Sequence, residues 1–130
     1  HRFHFPVSGT PDDARLINGW LYSVSPLALR LNPGYLTENK RMVTLVDSAR
    51  FGRVAVLEIG ATMVGSILQN YTPGQPVKKG DPKGMFAFGG SCVVTVFARG
   101  RMRFDADLVE HGSQQREVYA RMGERMGVMP

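Results

Sequence analysis

Apolar and polar residues alternate along most of this chain in short stretches, and glycines and prolines cut the stretches apart. Residues 54–59, Val-Ala-Val-Leu-Glu-Ile, put a β-branched residue at alternate positions, and residues 92–97, Cys-Val-Val-Thr-Val-Phe, are nearly all strand formers. The same pattern predicts strands over residues 2–6, 15–17, 20–24, 41–46, 54–59, 63–70, 85–88, 92–98 and 117–122. Turns are expected at Asn32-Pro33-Gly34 and at Asn18-Gly19, where both residues tolerate the positive φ of a tight type I′ hairpin. Residues 26–30 have room for one short helical turn, and 15 Gly with 8 Pro leave little for longer helices. The expected fold is mainly β: one compact sandwich- or barrel-like domain of short strands over residues 1–130, without internal repeats.

Composition narrows this picture. A chain of 130 residues, 43% apolar and 21% charged, has the make-up of one ordinary globular domain with a modest core. Its single cysteine, Cys92, excludes an intramolecular disulfide and a zinc cluster of paired thiols. The net charge of +5 favours anionic surroundings, such as phospholipid headgroups or nucleic acid. Arg99, Arg101 and Arg103 alternate as on one strand face, a solvated edge or a surface turned toward acidic lipid. No apolar run approaches the roughly 20 residues of a spanning helix. The start at His1, without a signal region, reads as part of a longer protein.

Candidate chemistry concentrates where Gly89 and Gly90 precede Ser91. Paired glycines open backbone conformations closed to other residues, so a strained peptide bond can be held there, although the local residues by themselves favour a β-bulge with Ser91 as a satisfied turn hydroxyl. His1 and His4, three apart on a strand, fall on opposite faces, which argues against a shared metal and leaves structural and catalytic roles balanced. His111 beside Gly112 reads as a solvated loop residue, the seven methionines as core gap-fillers, and Trp20, Tyr22 and Tyr35 as core aromatics rather than a membrane belt. A biotinyl- or lipoyl-type carrier module would need a lysine at a tight turn with flanking methionines, which Lys78 and Lys79 lack. A β-sandwich metallopeptidase would need a His-x-His pair that is absent.

Four separated motifs then change the reading. They are His1-Arg2-Phe3-His4-Phe5-Pro6 with Ser8-Gly9; Arg50-Phe51-Gly52 followed by Glu58-Ile59-Gly60-Ala61-Thr62-Met63-Val64-Gly65-Ser66-Ile67; Lys79-Gly80-Asp81-Pro82-Lys83-Gly84 leading to Phe88-Gly89-Gly90-Ser91; and Gly123-Glu124 with Met126-Gly127. In this order they resemble the phosphatidylserine decarboxylase family, in its shorter soluble-core subtype. The resemblance departs in two places. Cys92 stands where the family usually has threonine, and the family's triad aspartate lies upstream of the histidine motif.

The resemblance implies a pyruvoyl-dependent decarboxylase that turns phosphatidylserine into phosphatidylethanolamine and CO2 through a Schiff base. The pyruvoyl group would derive from Ser91 by self-cleavage between Gly90 and Ser91, with no metal or diffusible cofactor. It assigns His4 as base for the cleavage, His1 to proton handling or carboxylate contact, and Thr62, Gly65 and Ser66 to the substrate pocket. It also implies a β chain, residues 1–90, entwined with an α chain, residues 91–130, flanking the site with strands 85–88 and 92–98. A homodimer and peripheral association with the cytoplasmic face of a membrane are expected, and a nucleic-acid partner is not. Relatives that act on soluble aromatic amino acids keep the substrate open.

Overall fold

The computed structural model describes residues 1–89 and 91–130. In chain order its elements are β1 (Arg2–His4), β2 (Thr10–Pro11), β3 (Arg15–Ile17), α1 (Pro26–Leu31), α2 (Tyr35–Glu38), β4 (Arg41–Ser48), β5 (Gly52–Ile59), β6 (Ser66–Gln69), β7 (Pro82–Ala87), β8 (Cys92–Phe97), β9 (Arg103–Phe104), α3 (Ala106–Ser113) and β10 (Gly127–Val128). The fold is mainly β, as the alternation requires. A five-stranded sheet runs β2-β4-β5-β8 with β3 also on β4, a three-stranded sheet runs β1-β7-β6, and β9 pairs with β10. The pairings between these strands are antiparallel.

The period of two in β4 and β5 decides what is inside. Thr44, Val46 and Ser48 of β4, and Val54, Val56 and Glu58 of β5, are all buried at alternate positions. Val46, Val54 and Val56 form one core cluster with Phe5 and Val7, closed by Phe51, Tyr71, Val77 and Phe97. Phe3, Val64 and Phe86 form a second, with Ile67 against it. Each such side chain contributes roughly 1.5–3 kcal/mol by leaving water. Between β7 and β8 the chain passes from the three-stranded sheet to the five-stranded one, so the Gly-Gly-Ser motif falls at a crossing between sheets.

Several expectations need correction. Residues 20–24 are not a strand: Trp20 makes one isolated bridge to Asn39, and Tyr22 is held by the Asn39 side chain. Asn18-Gly19 does not form a I′ hairpin. Neither residue has positive φ, β3 pairs with distant β4, and a Cβ at Gly19 would meet Glu38 O at 2.1 Å, so the glycine serves a close approach. Residues 117–122 are exposed and carry no strand, for no described strand offers them a ladder. The strand expected at 63–70 shortens to β6 because Ala61 and Val64 close a tight turn first.

The helix α3 was not anticipated, and His111 sits half-buried in its last turn instead of a loop. Arg99 to Arg103 lie exposed around a turn rather than along one strand face. Trp20 and Tyr22 are exposed, and none of the seven methionines is buried, so neither set fills the core.

Candidate active site

Ser91 stands just before β8, whose first residue Cys92 pairs with Ile59 at the end of β5. On the other side β7 ends at Ala87, and Phe88 and Gly89 take left-handed conformations, φ 66° and 108°. For Phe88, 85% exposed, that conformation costs about 1–2 kcal/mol without compensating burial among the described residues. Gly90, the expected acyl side of the cut, lies outside the described residues.

The Ser91 Oγ is buried and has no hydrogen-bond partner among the described residues. The residue lines a cavity of about 330 Å³ together with Ser23, Val24, Ser25, Ala61 and Thr62. Each wall is fixed locally. The Ala61–Val64 turn is closed by two backbone hydrogen bonds, 3.1 and 2.8 Å, with Met63 left-handed at φ 67°. Thr62 Oγ1 donates to Leu21 O at 3.2 Å, joining the turn to the opposite wall. That wall is pinned by fully buried Asn39, whose Nδ2 donates to Tyr22 O (2.8 Å) and Gly60 O (2.9 Å) while its Oδ1 accepts from Tyr22 N (2.9 Å). Ser25 caps α1, its Oγ accepting from Ala28 N. Burial pushes the neighbouring Cys92 thiol above its usual pKa, so it stays neutral and is a poor nucleophile beside the serine.

The other expected residues are spread along the strands. The β1–β7 pairing puts His1 next to Phe86, whose N–H donates to His1 O at 2.8 Å, and sets His4 opposite Pro82. Those two β7 positions are about 13 Å apart at roughly 3.3 Å per residue, and His1 is at the end facing the crossing. His4 lines a separate, mainly apolar cavity of about 670 Å³, with Lys79, Phe97, Met122, Glu124 and Met126 among its walls. Of the central motif, Thr62 lines the Ser91 cavity. Gly65 packs instead under Leu21, and Ser66 is exposed opposite Ala87.

Sequence reasoning missed the Ser23–Ser25 wall, Asn39, and a charged cluster between the sheets. Lys83 Nζ of β7 lies 2.8 Å from Glu58 Oε1 of β5, both side chains fully buried. Nζ also donates to Thr44 Oγ1 (2.9 Å) and Gln69 Oε1 (2.8 Å), and Gln69 Nε2 donates to Glu58 Oε2 (2.9 Å). The rings of Phe3, Phe5 and Tyr71 surround the ammonium at 5.1–5.8 Å. Desolvation raises the Glu58 carboxyl and lowers the Lys83 ammonium in pKa, each opposed by the other's charge. The strand parity Val54, Val56, Glu58 was the available signal.

Among the described residues no three His, Cys, Asp or Glu side chains gather as a metal site would require. A family model described as phosphatidylserine decarboxylase matches residues 1–128. The chain belongs to the phosphatidylserine decarboxylase family. Proteins named phosphatidylserine decarboxylase proenzyme are similar to it. The one from Chlamydia muridarum is 54% identical over 127 residues, 98% of this chain and 42% of its own length. Those from Chlamydia pneumoniae and Desulfitobacterium hafniense (strain Y51) are 46% and 45% identical, over 42% and 43% of their lengths. This chain thus spans about two-fifths of the curated relatives it matches. No solved structure matches it. Family membership sets aside the carrier module and the metallopeptidase.

Proposed function

We propose that this chain forms the catalytic core of a carboxy-lyase that decarboxylates phosphatidylserine to phosphatidylethanolamine, and that it prepares its own prosthetic group at Ser91. The observation that carries the reading is the buried Ser91 Oγ without a described partner, set beside two left-handed residues at the crossing between sheets. A hydroxyl so placed is costly to keep unless it serves chemistry.

Ser91 Oγ attacks the Gly90 carbonyl carbon: the C–O bond forms, the C–N bond breaks, and the proton leaving Oγ ends on the freed amine through a histidine. Loss of the Ser91 Cα proton with cleavage of Cβ–O then releases Gly90 as a carboxylate. The dehydroalanine left behind tautomerises to an imine and hydrolyses, giving ammonia and a pyruvoyl group at the head of residues 91–130. Ser91 fits this role, since its Oγ is free of competing bonds and its cavity carries no charged side chain among the described residues. The pyruvoyl group supplies an electrophilic ketone whose adjoining carbonyl can hold the electrons released with CO2.

Family resemblance gives proton transfer in self-cleavage to His4 and in decarboxylation to His1. The β1–β7 pairing favours a second reading in which His1, at the crossing end, serves the cut. Thr62 bounds the proposed substrate cavity, whereas Gly65 and Ser66 follow its turn without lining it. Among the described residues no helix is long and apolar enough to cross a membrane. The proposed association is peripheral, on the cytoplasmic face, with residues 1–90 and 91–130 staying together and the whole forming a homodimer.

Intact-mass measurement on the full-length protein tests this. Two chains divided after Gly90, the second lighter than a serine-initiated peptide by the mass of one ammonia, are expected, and Ser91→Ala should give one uncut, inactive chain. A cut Ser91→Ala protein refutes the reading. His1→Ala and His4→Ala, compared for cutting rate, decide between the two histidines.

A further inference from the structure

We infer that the buried Glu58–Lys83 pair is a positioning device for the self-cleavage at Ser91, an inference that rests on the cleavage reading above. The two side chains reach across the core from strands on either side of the crossing. Lys83 belongs to β7, which runs into Phe88 and Gly89. Glu58 belongs to β5 and pairs there with Val93, two residues after Ser91. Thr44 from β4 and Gln69 from β6 bind the same ammonium, so four strands from both sheets converge on one polar centre.

Apolar side chains can slide past one another at little cost. Hydrogen bonds of 2.8–2.9 Å cannot, because direction and length both matter, and three of them, from Lys83 to Thr44 and to Gln69 and from Gln69 to Glu58, tie the ion pair into both sheets. The pair therefore fixes how β7 lies over β5, and with it where the residues before the cut lie relative to Ser91. Two hydrophobic clusters flank this centre and would hold the sheets together without it, but not to the tolerance an attack requires. A misplacement of about 1 Å costs such a reaction on the order of a hundredfold in rate. Glu58 and Lys83 touch none of the reacting atoms; they act through the strands.

The test is the first-order rate of cutting in freshly folded full-length protein, followed by intact mass alongside the final fraction cut and the melting temperature. In Glu58→Gln/Lys83→Met both charges go and no unpaired charge remains, so the fold is kept. The rate constant should fall between about tenfold and a hundredfold while the final fraction cut and the melting temperature hold. A merely structural role would lower the final fraction and leave the rate constant of the folded molecules unchanged, which overturns the inference. Thr44→Val, which keeps both charges and removes one bond to the ammonium along with the 3.2 Å bond between Thr44 and the Tyr71 hydroxyl, gives a second measure if the double variant does not fold. It should cut about threefold more slowly, the scale of a lost hydrogen bond, and an unchanged rate overturns the inference. If the parent protein itself does not cut, it is the cleavage reading that fails, and the inference falls with it.

Discussion

Replacing Lys83 alone by Met keeps nearly the same volume and removes the cation 2.8 Å from Glu58, leaving a carboxylate fully buried without its partner. Breaking a buried pair in this way costs about 3–5 kcal/mol, a large part of the roughly 5–15 kcal/mol that holds a domain folded. Glu58 can relieve that cost by binding a proton. Burial already raises its carboxyl above the ordinary range even with Lys83 in place, and without Lys83 it rises further. A carboxyl raised by folding binds more protons in the native state than in the unfolded one. Its contribution is complete below the unfolded pKa of about 4.3 and is lost as pH climbs through the folded value. The deficit in Lys83→Met is therefore small near about pH 5 and grows toward about pH 8, by at most ~1.4 kcal/mol per pH unit. Lys83 has the opposite sign: its pKa is lowered by folding, so its contribution is lost as pH falls through the folded value. Removing both groups removes both penalties, and the double variant should lie within about 1 kcal/mol of the parent or above it. Urea unfolding followed by far-UV circular dichroism measures this in the Ser91→Ala background, where one uncut chain is compared throughout. A loss under about 1 kcal/mol for Lys83→Met at about pH 8, or equal losses at both pH values, would refute the reasoning.

Two further substitutions probe the frame around the crossing. Gly84→Ala should destabilise by about 1–3 kcal/mol, because the new Cβ would lie 2.1 Å from Leu68 O and 2.6 Å from the Phe3 ring, and the backbone must move; a thermal melt that matches the parent would contradict it. Asn39→Ala leaves Tyr22 N and the carbonyls of Tyr22 and Gly60 without their partner, at about 1–3 kcal/mol; hydrogen exchange should quicken across residues 20–25, and unchanged protection there would show that the wall is held by something else.

The sheets were legible because their signal is local. The alternation in residues 41–46, 54–59 and 92–97 survives as β4, β5 and β8 because each has a long partner strand, and β4 with β5 pairs over eight positions. Residues 20–24 and 117–122 have comparable residues but no such partner, and propensity alone makes no ladder. Ser91 was legible through the glycines before it and the motif order, whereas its cavity was not, since Ser23 and Ser25 come from some 70 residues upstream and are brought there by Asn39. Lys83 and Glu58 stand inside motifs that by themselves give neither residue a role. Parity turns Glu58 inward, but a charged residue at an inward position makes sense only when its counter-charge on another sheet is known.

That distance between cause and site bears on how such a chain could cut itself once and remain assembled. A left-handed Phe88 leaves the crossing strained, and a cut there would remove one covalent link between the two sheets while the chain from β1 to β2 and from β5 to β6 still joins them. What would hold residues 91–130 to the rest is then non-covalent. β8 keeps its six-position ladder on β5, from Val54 opposite Phe97 to Ile59 opposite Cys92. The Glu58–Lys83 pair, with both members upstream of the cut, keeps β7 and β5 fixed to each other. Phe97 stays packed against Phe51, 5.6 Å between ring centres. The strands on either side of the proposed cut thus carry the order that would outlast it. A site of this kind can spend a peptide bond to make a reactive group without surrendering the cavity in which the group must then work.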